Sequence, residues 1–496
     1  MTRRFLYVLV FVVGAGSLGA EITVARLMAP FFGASTIVWA NTIAVVLVAL
    51  SVGYWLGGRL GDRHPHLRGL CLVVMGAALL LAAVPFVARP FFDLSVSALD
   101  SVSAGAFIGS LVAVLALVAV PVMLLGACSP YAIRLAISDV EHSGRTAGRL
   151  YAVSTAGSLA GTMLAALILI PFAGTQRTFL GFALALALAA AVGLGWRFLV
   201  APVAVAALIA VPVGTVKPTD EGRVLYEGES ALQYIRVIEE PNGDRELELN
   251  EGQAIHSLYR PGSYLTGGYW DGIVTLPFAA LTHPPRRVAI LGNAAGTTAR
   301  ALGHFFPHAK VDGVEIDPRL SEIGDRYFGM DSNPNLTVHS EDARPWLRAS
   351  PGGYDVIVVD AYRQPYIPFY LTTREFFDLA RERLSPGGAV VVNIGHPPDS
   401  DALETVIGST MADNFPAVLR DPVDDSNTLL AASAATASAH RLHAAATELP
   451  GRLQHLAKRQ AQRLEPRLPG GTVYTDDRAP VEWLVDRSIV GYAANR

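Results

Sequence analysis

The sequence predicts a molecule in two parts: an α-helical transmembrane bundle of about six or seven spans, then a small β-hairpin unit leading into a doubly wound α/β domain. Three observations predict it. Hydrophobic residues make up 51% of the 496 and charged residues only 17%, with a mean hydropathy of +0.37, and nearly all of this apolar excess lies before Val213. From Lys217 onward charges return at the density of a globular domain large enough to bury its own core. From Arg287 short apolar strands alternate with helical segments, the pattern of a parallel sheet covered on both faces. The expected boundaries are 1–214 for the membrane part, 215–282 for the β unit and 283–496 for the α/β domain.

Apolar runs of bilayer length fall at 6–28, 37–56, 70–87, 107–125, 151–172 and 179–194, with a shorter one at 198–213. The first continues past signal-peptide length and reads as a retained helix. Arginines gather at the N-terminus (Arg3, Arg4), after the second run (Arg59, Arg63, Arg68) and after the fourth (Arg134, Arg145, Arg149), while the alternate loops hold few. By the positive-inside rule the N-terminus is cytoplasmic. Seven full crossings from that start would carry the soluble part outside. Because the last run is short and holds Pro202 and Pro212, the expectation is a re-entrant or interfacial segment, with a multi-pass protein of the cell membrane keeping its soluble part in the cytoplasm. Within the first span, Glu21 and Arg26 point to different helix faces, so each needs a contact from another span.

Between 216 and 280 the alternating runs LQYIRVIEE and RELELNEG flank Pro241-Asn242-Gly243-Asp244, a hairpin signature. Beyond it strands are expected at 288–291, 311–315, 336–339, 355–360 and 389–394, with helices from Thr297, from Arg319, around 343–348, at 373–384 and from Ala402. Two closing strands near 417–421 and 428–432 complete the sheet. The stretch VAILGNAAGTTARALGHFFPHAKVDGVEIDP carries a nucleoside-cofactor site. Its strand breaks at Gly292, a helix opens near Gly296 with free N–H groups for a polar or anionic ligand group, and Glu315, about 20 residues on, can accept both ribose hydroxyls. Ligands of such sheets sit beyond the carboxyl ends of the strands, and acidic residues recur there as Glu315, Asp342 and Asp360. The formal net charge of −4 gives no basic footprint, which argues against nucleic acid as a partner. Cys71 and Cys128 form no zinc spacing, and no metal is expected.

These residues carry a resemblance across almost the whole chain. ALQYIRV and NEGQAIHS, the YWD at 269–271, ILGNAAG, VEIDP, SEDARPWL, YDVIVVDAY, the stretch PFYLTTREFF to RLSPGGAVVVNI, and TDDRAPVEWL resemble spermidine synthases, the polyamine aminopropyltransferases. The order of parts resembles the bacterial membrane-fused form of that family. The segment GGRLGDRHPHLR after the second run resembles the loop between the second and third helices of major facilitator transporters, with Gly57, Asp62 and Arg63 in place.

The resemblance implies a Rossmann-like, class I methyltransferase fold, with decarboxylated S-adenosylmethionine as co-substrate. It implies Glu315 on the ribose hydroxyls, Asp342 on the adenine amino group, and Gln233 and Gln253 covering nucleoside and substrate. Asp360 corresponds to the catalytic carboxylate, which orients an incoming amine and accepts its proton. Soluble synthases of this type associate, so a homodimer is implied too. Two positions depart from the family. Its Gly-rich loop holds an Asp for the aminopropyl ammonium, where this chain has Ala295, and its second Asp after the catalytic one falls near Gln364. Asp271, where the synthases have Glu, is expected to compensate in part by gripping substrate. The loss at Ala295 removes discrimination against S-adenosylmethionine itself. Aminopropyl transfer to putrescine or a related amine is the leading expectation. An S-adenosylmethionine-dependent methyltransferase, or a polyamine transporter or sensor with a non-catalytic nucleoside domain, are the alternatives.

Overall fold

The computed structural model describes residues 3–33, 35–99, 105–137, 141–214, 216–219, 221–252, 254–363, 366–398 and 400–494. The chain divides into two compact units: Met1–Pro218 with Glu227–Ile235, and Thr219–Tyr226 with Arg236–Arg496.

The first unit is helical. Its elements are α1 (Arg3–Phe32), α2 (Thr36–Arg63), α3 (Leu67–Leu99), α4 (Gly105–Leu117), α5 (Ala119–Ala136) and α6 (Ser143–Leu164), then a π turn at Ala165–Leu169, α7 (Ile170–Ala173), α8 (Thr175–Leu194) and α9 (Val200–Ile209). Among the described residues, six helical stretches are long and apolar enough to cross a membrane. Small residues let these helices touch backbone to backbone. A Cβ at Gly57 of α2 would run into the carbonyl of Ala127 on α5, and one at Gly161 of α6 into that of Ala15 on α1. In hydrocarbon such close approach supplies packing energy that burial alone does not.

One expectation for this part is corrected. The fourth span is not 107–125, because α4 and α5 are separate helices meeting at Val118. Pro121 is the cause: it has no N–H to return to the carbonyl of Leu117, and its ring crowds that group. The segment 198–213 holds α9. From the C-terminal end of α8 the chain runs back through α9 until Val213 and Gly214 share a cavity with Thr175, the first residue of α8, and with Arg26 of α1. Pro202 does not stop α9, since it sits in the first turn, where backbone N–H groups have no helical acceptor anyway. Arg26, too, finds its partner off the helices, donating to the carbonyl of Ala231.

The second unit opens on a four-stranded sheet, β1 (Arg223–Glu229), β2 (Tyr234–Glu239), β3 (Arg245–Leu249) and β4 (Ile255–Tyr259), in that order. The β1–β2 tip itself belongs to the first unit. The expected turn at 241–244 joins β2 to β3, closed by the Glu240 N–H donating to the Asp244 carbonyl at 2.8 Å and by the Asn242 side chain accepting from Asp244 N–H at 2.8 Å.

There follow α10 (Tyr269–Thr275), β5 (Arg287–Leu291), α11 (Thr297–Phe305), β6 (Lys310–Val314), α12 (Pro318–Ile323), β7 (Leu336–His339), α13 (Ala343–Ala349) and β8 (Tyr354–Val359). The unit continues with α14 (Arg374–Arg383), β9 (Leu384–Gly395), α15 (Ala402–Asn414), β10 (Ala417–Pro422), β11 (Asn427–Ser433), α16 (Ala439–Ala445), α17 (Arg452–Arg463), β12 (Glu465–Pro466) and α18 (Val481–Ala494). The eight strands lie in the order β12-β10-β11-β9-β8-β5-β6-β7. β5 pairs in parallel with both β6 and β8, so the order reverses beside it, and a crevice opens at its carboxyl end. Strand periodicity builds a core on each face. Ala289 and Leu291 pack with Leu347 and Phe376, whereas Val288 and Ile290 pack with Ala299 and Leu302. The expected strands are all present in this Rossmann-like sheet; α10, α16, α17, α18 and β12 are additional.

Candidate active site

At the end of β5 the chain must turn sharply under another loop. Gly292 has φ +91°, and a Cβ there would collide with the backbone of Asp360 and Ala361, so only glycine lets the two loops touch. The contact is locked by the Asp360 N–H donating to the Leu291 carbonyl at 2.8 Å. Gly296, with φ +86°, precedes α11, where a side chain would strike Met330. Between them Ala294 holds the left-handed conformation at φ 45°, unusual for a residue with a Cβ. Its N–H donates to Glu315 Oε2 at 2.9 Å.

Glu315 is thus tied to the Gly-rich loop. Its other oxygen accepts from Asp317 N–H at 3.0 Å, and the residue is 7% exposed. Burial pushes the carboxyl up to about 7 against the lowering effect of those two backbone bonds. Each carboxylate oxygen keeps further lone-pair capacity, which suits a pair of ribose hydroxyl donors.

Asp360 follows β8. Asn393 Nδ2 donates to its Oδ1 at 2.8 Å and the Tyr269 hydroxyl to its Oδ2 at 3.2 Å. Burial raises this carboxyl to about 7, opposed by both bonds. Asn393 is itself held, accepting from Asn427 Nδ2 at 2.9 Å, while its backbone carbonyl accepts from the Tyr362 hydroxyl at 3.0 Å. The result is a positioned carboxylate whose ionisation falls near neutrality, in reach of the Gly292 loop. A group of this kind can take a proton from an ammonium or a hydroxyl.

The other expected residues divide. Asp342 lies after β7, where Oδ1 accepts from Arg344 N–H at 3.1 Å to cap α13 and Oδ2 accepts from the Tyr370 hydroxyl at 2.7 Å. Asp271 is buried, and its two oxygens accept from Thr266 N–H, Thr266 Oγ1 and Gly267 N–H at 2.7, 3.0 and 2.8 Å. That carboxylate closes the turn before α10. Gln233 lies in the β1–β2 turn of the first unit, its N–H donating to Ser230 Oγ at 3.0 Å. Gln253 and Gln364 lie outside the described residues. Ala295 is fully buried, its N–H donating to Ser257 Oγ at 3.0 Å, so the loop presents no carboxylate there. Sequence reasoning missed Tyr269 and Asn393. The signals were a tyrosine inside the YWD motif and one amide interrupting the apolar run of β9.

Comparison with known proteins finds a family. Residues 269–420 match the spermine/spermidine synthase domain. The chain is 32% identical over 307 residues to the probable polyamine aminopropyl transferase of Bifidobacterium longum (strain NCC 2705), covering 56% of this chain and 67% of that protein. It is 39% identical over 123 residues to the polyamine aminopropyltransferase of Vibrio vulnificus (strain CMCP6), covering 24% of this chain and 41% of that one. The crystal structure of a probable spermidine synthase from Corynebacterium glutamicum ATCC 13032 aligns with 51% of this chain and 98% of its own, at 22% identity and a TM-score of 0.40.

Proposed function

This chain belongs to the spermine/spermidine synthase family, the polyamine aminopropyltransferases, and on that premise we propose that it moves an aminopropyl group from decarboxylated S-adenosylmethionine to putrescine or a related amine. The observation that carries the reading is Asp360, a carboxylate fixed by Tyr269 and Asn393 beside the Gly292 turn. The nucleoside is bound by the Gly-rich loop and by Glu315, whose remaining lone pairs take the ribose hydroxyls. An amine attacks the carbon next to the sulfonium only when it has its lone pair. Asp360 orients that amine and accepts its proton as the N–C bond forms and the C–S bond breaks, releasing a neutral thioether nucleoside. The sulfonium is its own leaving group. The protein therefore supplies placement and one proton acceptor.

Ala295 supports a second reading. With no acidic side chain in the loop to meet an ammonium or repel a carboxylate, S-adenosylmethionine itself also fits, and methyl transfer becomes the competing chemistry. Calorimetry with both adenosyl sulfoniums separates the two; preference for the decarboxylated one is expected, and preference for the carboxylated one overturns aminopropyl transfer. In the same preparation Asp360→Asn is expected to lower turnover by roughly 10²–10⁴-fold with nucleoside affinity unchanged. A variant of normal rate removes Asp360 from the chemistry.

A further inference from the structure

We infer that the chain crosses the membrane seven times and that the second unit is released on the face opposite the arginine-rich loops, the non-cytoplasmic face. The first unit alone carries this. Its helices alternate in direction: Phe11 and Ala15 of α1 lie against Gly157 and Gly161 of α6, which makes that pair parallel, while Gly16 and Gly19 of α1 lie against Leu186 and Phe182 of α8, which makes that pair antiparallel. One end of the bundle therefore collects the start of α1, the ends of α2 and α5, and the starts of α3 and α6. Asp62 and Arg134 pair there at 3.0 Å, the Tyr131 hydroxyl donates to the carbonyl of His64, and Gly193 of α8 lies against Cys71 and Phe5. That end carries Arg3, Arg4, Arg59, Arg63, Arg68, Arg134, Arg145, Arg149 and Arg197. The other end carries Arg26, Arg89, Arg177 and Lys217. The asymmetry fixes the first end in the cytoplasm.

The exit lies at the other end. The 20 residues of α8 rise about 30 Å, the thickness of a hydrocarbon core. The chain leaves α8 at Leu194 on the arginine-rich end, and by Val213 and Val216 it lines a cavity of about 270 Å³ with Arg26, Pro30 and Thr175. It has re-crossed the full length of α8 through the 3-10 turn Trp196–Leu199, α9 and the residues that follow it to Gly214. Two contacts hold it there: Thr175 Oγ1 donates to Glu229 at 2.6 Å, and Arg26 donates to the Ala231 carbonyl. The second unit begins one residue after Pro218. Taken with the proposed activity, on which this one consequence rests, the amine and the adenosyl sulfonium meet outside the cytoplasm.

The test is thiol accessibility in the full-length protein. The native Cys71 and Cys128 are buried, so an introduced cysteine is the reactive one. Asp425→Cys and Glu448→Cys place it on exposed loops of the second unit, and His66→Cys on the α2–α3 loop. A membrane-impermeant maleimide is expected to label the first two in right-side-out spheroplasts, and His66→Cys only in inside-out vesicles, with all three reacting equally in detergent. The reverse pattern, or all three labelling from one side, overturns the inference. Labelling does not depend on turnover, so this outcome is separate from the fate of the proposed activity. Two positions in the second unit guard against one variant misfolding.

Discussion

Asp360 owes its behaviour to three neighbours that arrive from distant parts of the chain: Tyr269 before it, Asn393 after it, and the Gly292 turn beneath it. Its carboxyl is raised to about 7 by burial, so below that pH it is protonated and cannot accept a proton. The expected rate profile therefore has an acid limb: kcat/KM climbs as pH rises through about 7 and levels above it. Asn393 donates to the ionised form and so holds the value down. Asn393→Ala is expected to move the acid limb to higher pH while nucleoside affinity stays. A profile that falls in height without moving would make Asn393 a packing residue only. Asp271 shows what a motif alone does not reveal at this scale. It stands inside YWD as a carboxylate, but the partners that consume it are backbone N–H groups of Thr266 and Gly267, and no residue-type pattern announces backbone donors.

Among the elements, those with strong periodicity were legible. β5, β8 and β9 carry apolar runs bounded by glycine or acidic residues, and the helices between them follow turn signals, so a parallel sheet was the one economical reading. The α16–α17 region was less visible. Leu442, Ala446, Leu449, Leu453, Ala457 and Ala461 recur at helical spacing and are buried, but alanines give a weak apolar contrast against the surrounding charges. The break between α4 and α5 was hidden for the opposite reason, since hydropathy is unbroken across it and only Pro121 marks the end. The glycines of the membrane helices could be read as small residues, but not as the points where α1 meets α6 and α2 meets α5. Gly161→Leu would drive a branched side chain into the Ala15 carbonyl. Overpacking of that kind costs typically about 1–3 kcal/mol, and more where the obstacle is backbone. The expected result is a clearly lower melting temperature in detergent micelles for Gly161→Leu than for Gly181→Leu, whose added Cβ meets no atom within 4 Å. Equal melting would mean the α1–α6 approach does not stabilise the bundle.

At the scale of the molecule, the chain passes between its two units more than once. Met1–Pro218 is followed by a piece of the second unit, then by Glu227–Ile235 of the first, and only then by the rest. A boundary drawn from composition, near residue 215, treats the β1–β2 tip as part of the soluble half because its alternating pattern is that of any exposed hairpin. What makes it part of the helical unit is a small set of polar contacts, Thr175 to Glu229 and Arg26 to Ala231, with Glu229 raised in pKa chiefly by burial. Such contacts pair residues far apart in sequence, so no local window reports them. A fragment beginning at Thr219 keeps every strand but strips those partners from the tip, and a hairpin end without buried contacts opens locally at low cost. Limited proteolysis by a glutamyl-specific enzyme is expected to cut such a fragment at Glu227 or Glu229 early, leaving the remainder intact, while the full-length protein in micelles resists at those sites. Cleavage at the same rate in both would show that the tip gains nothing from the helices. The division of the chain would then fall where composition alone places it.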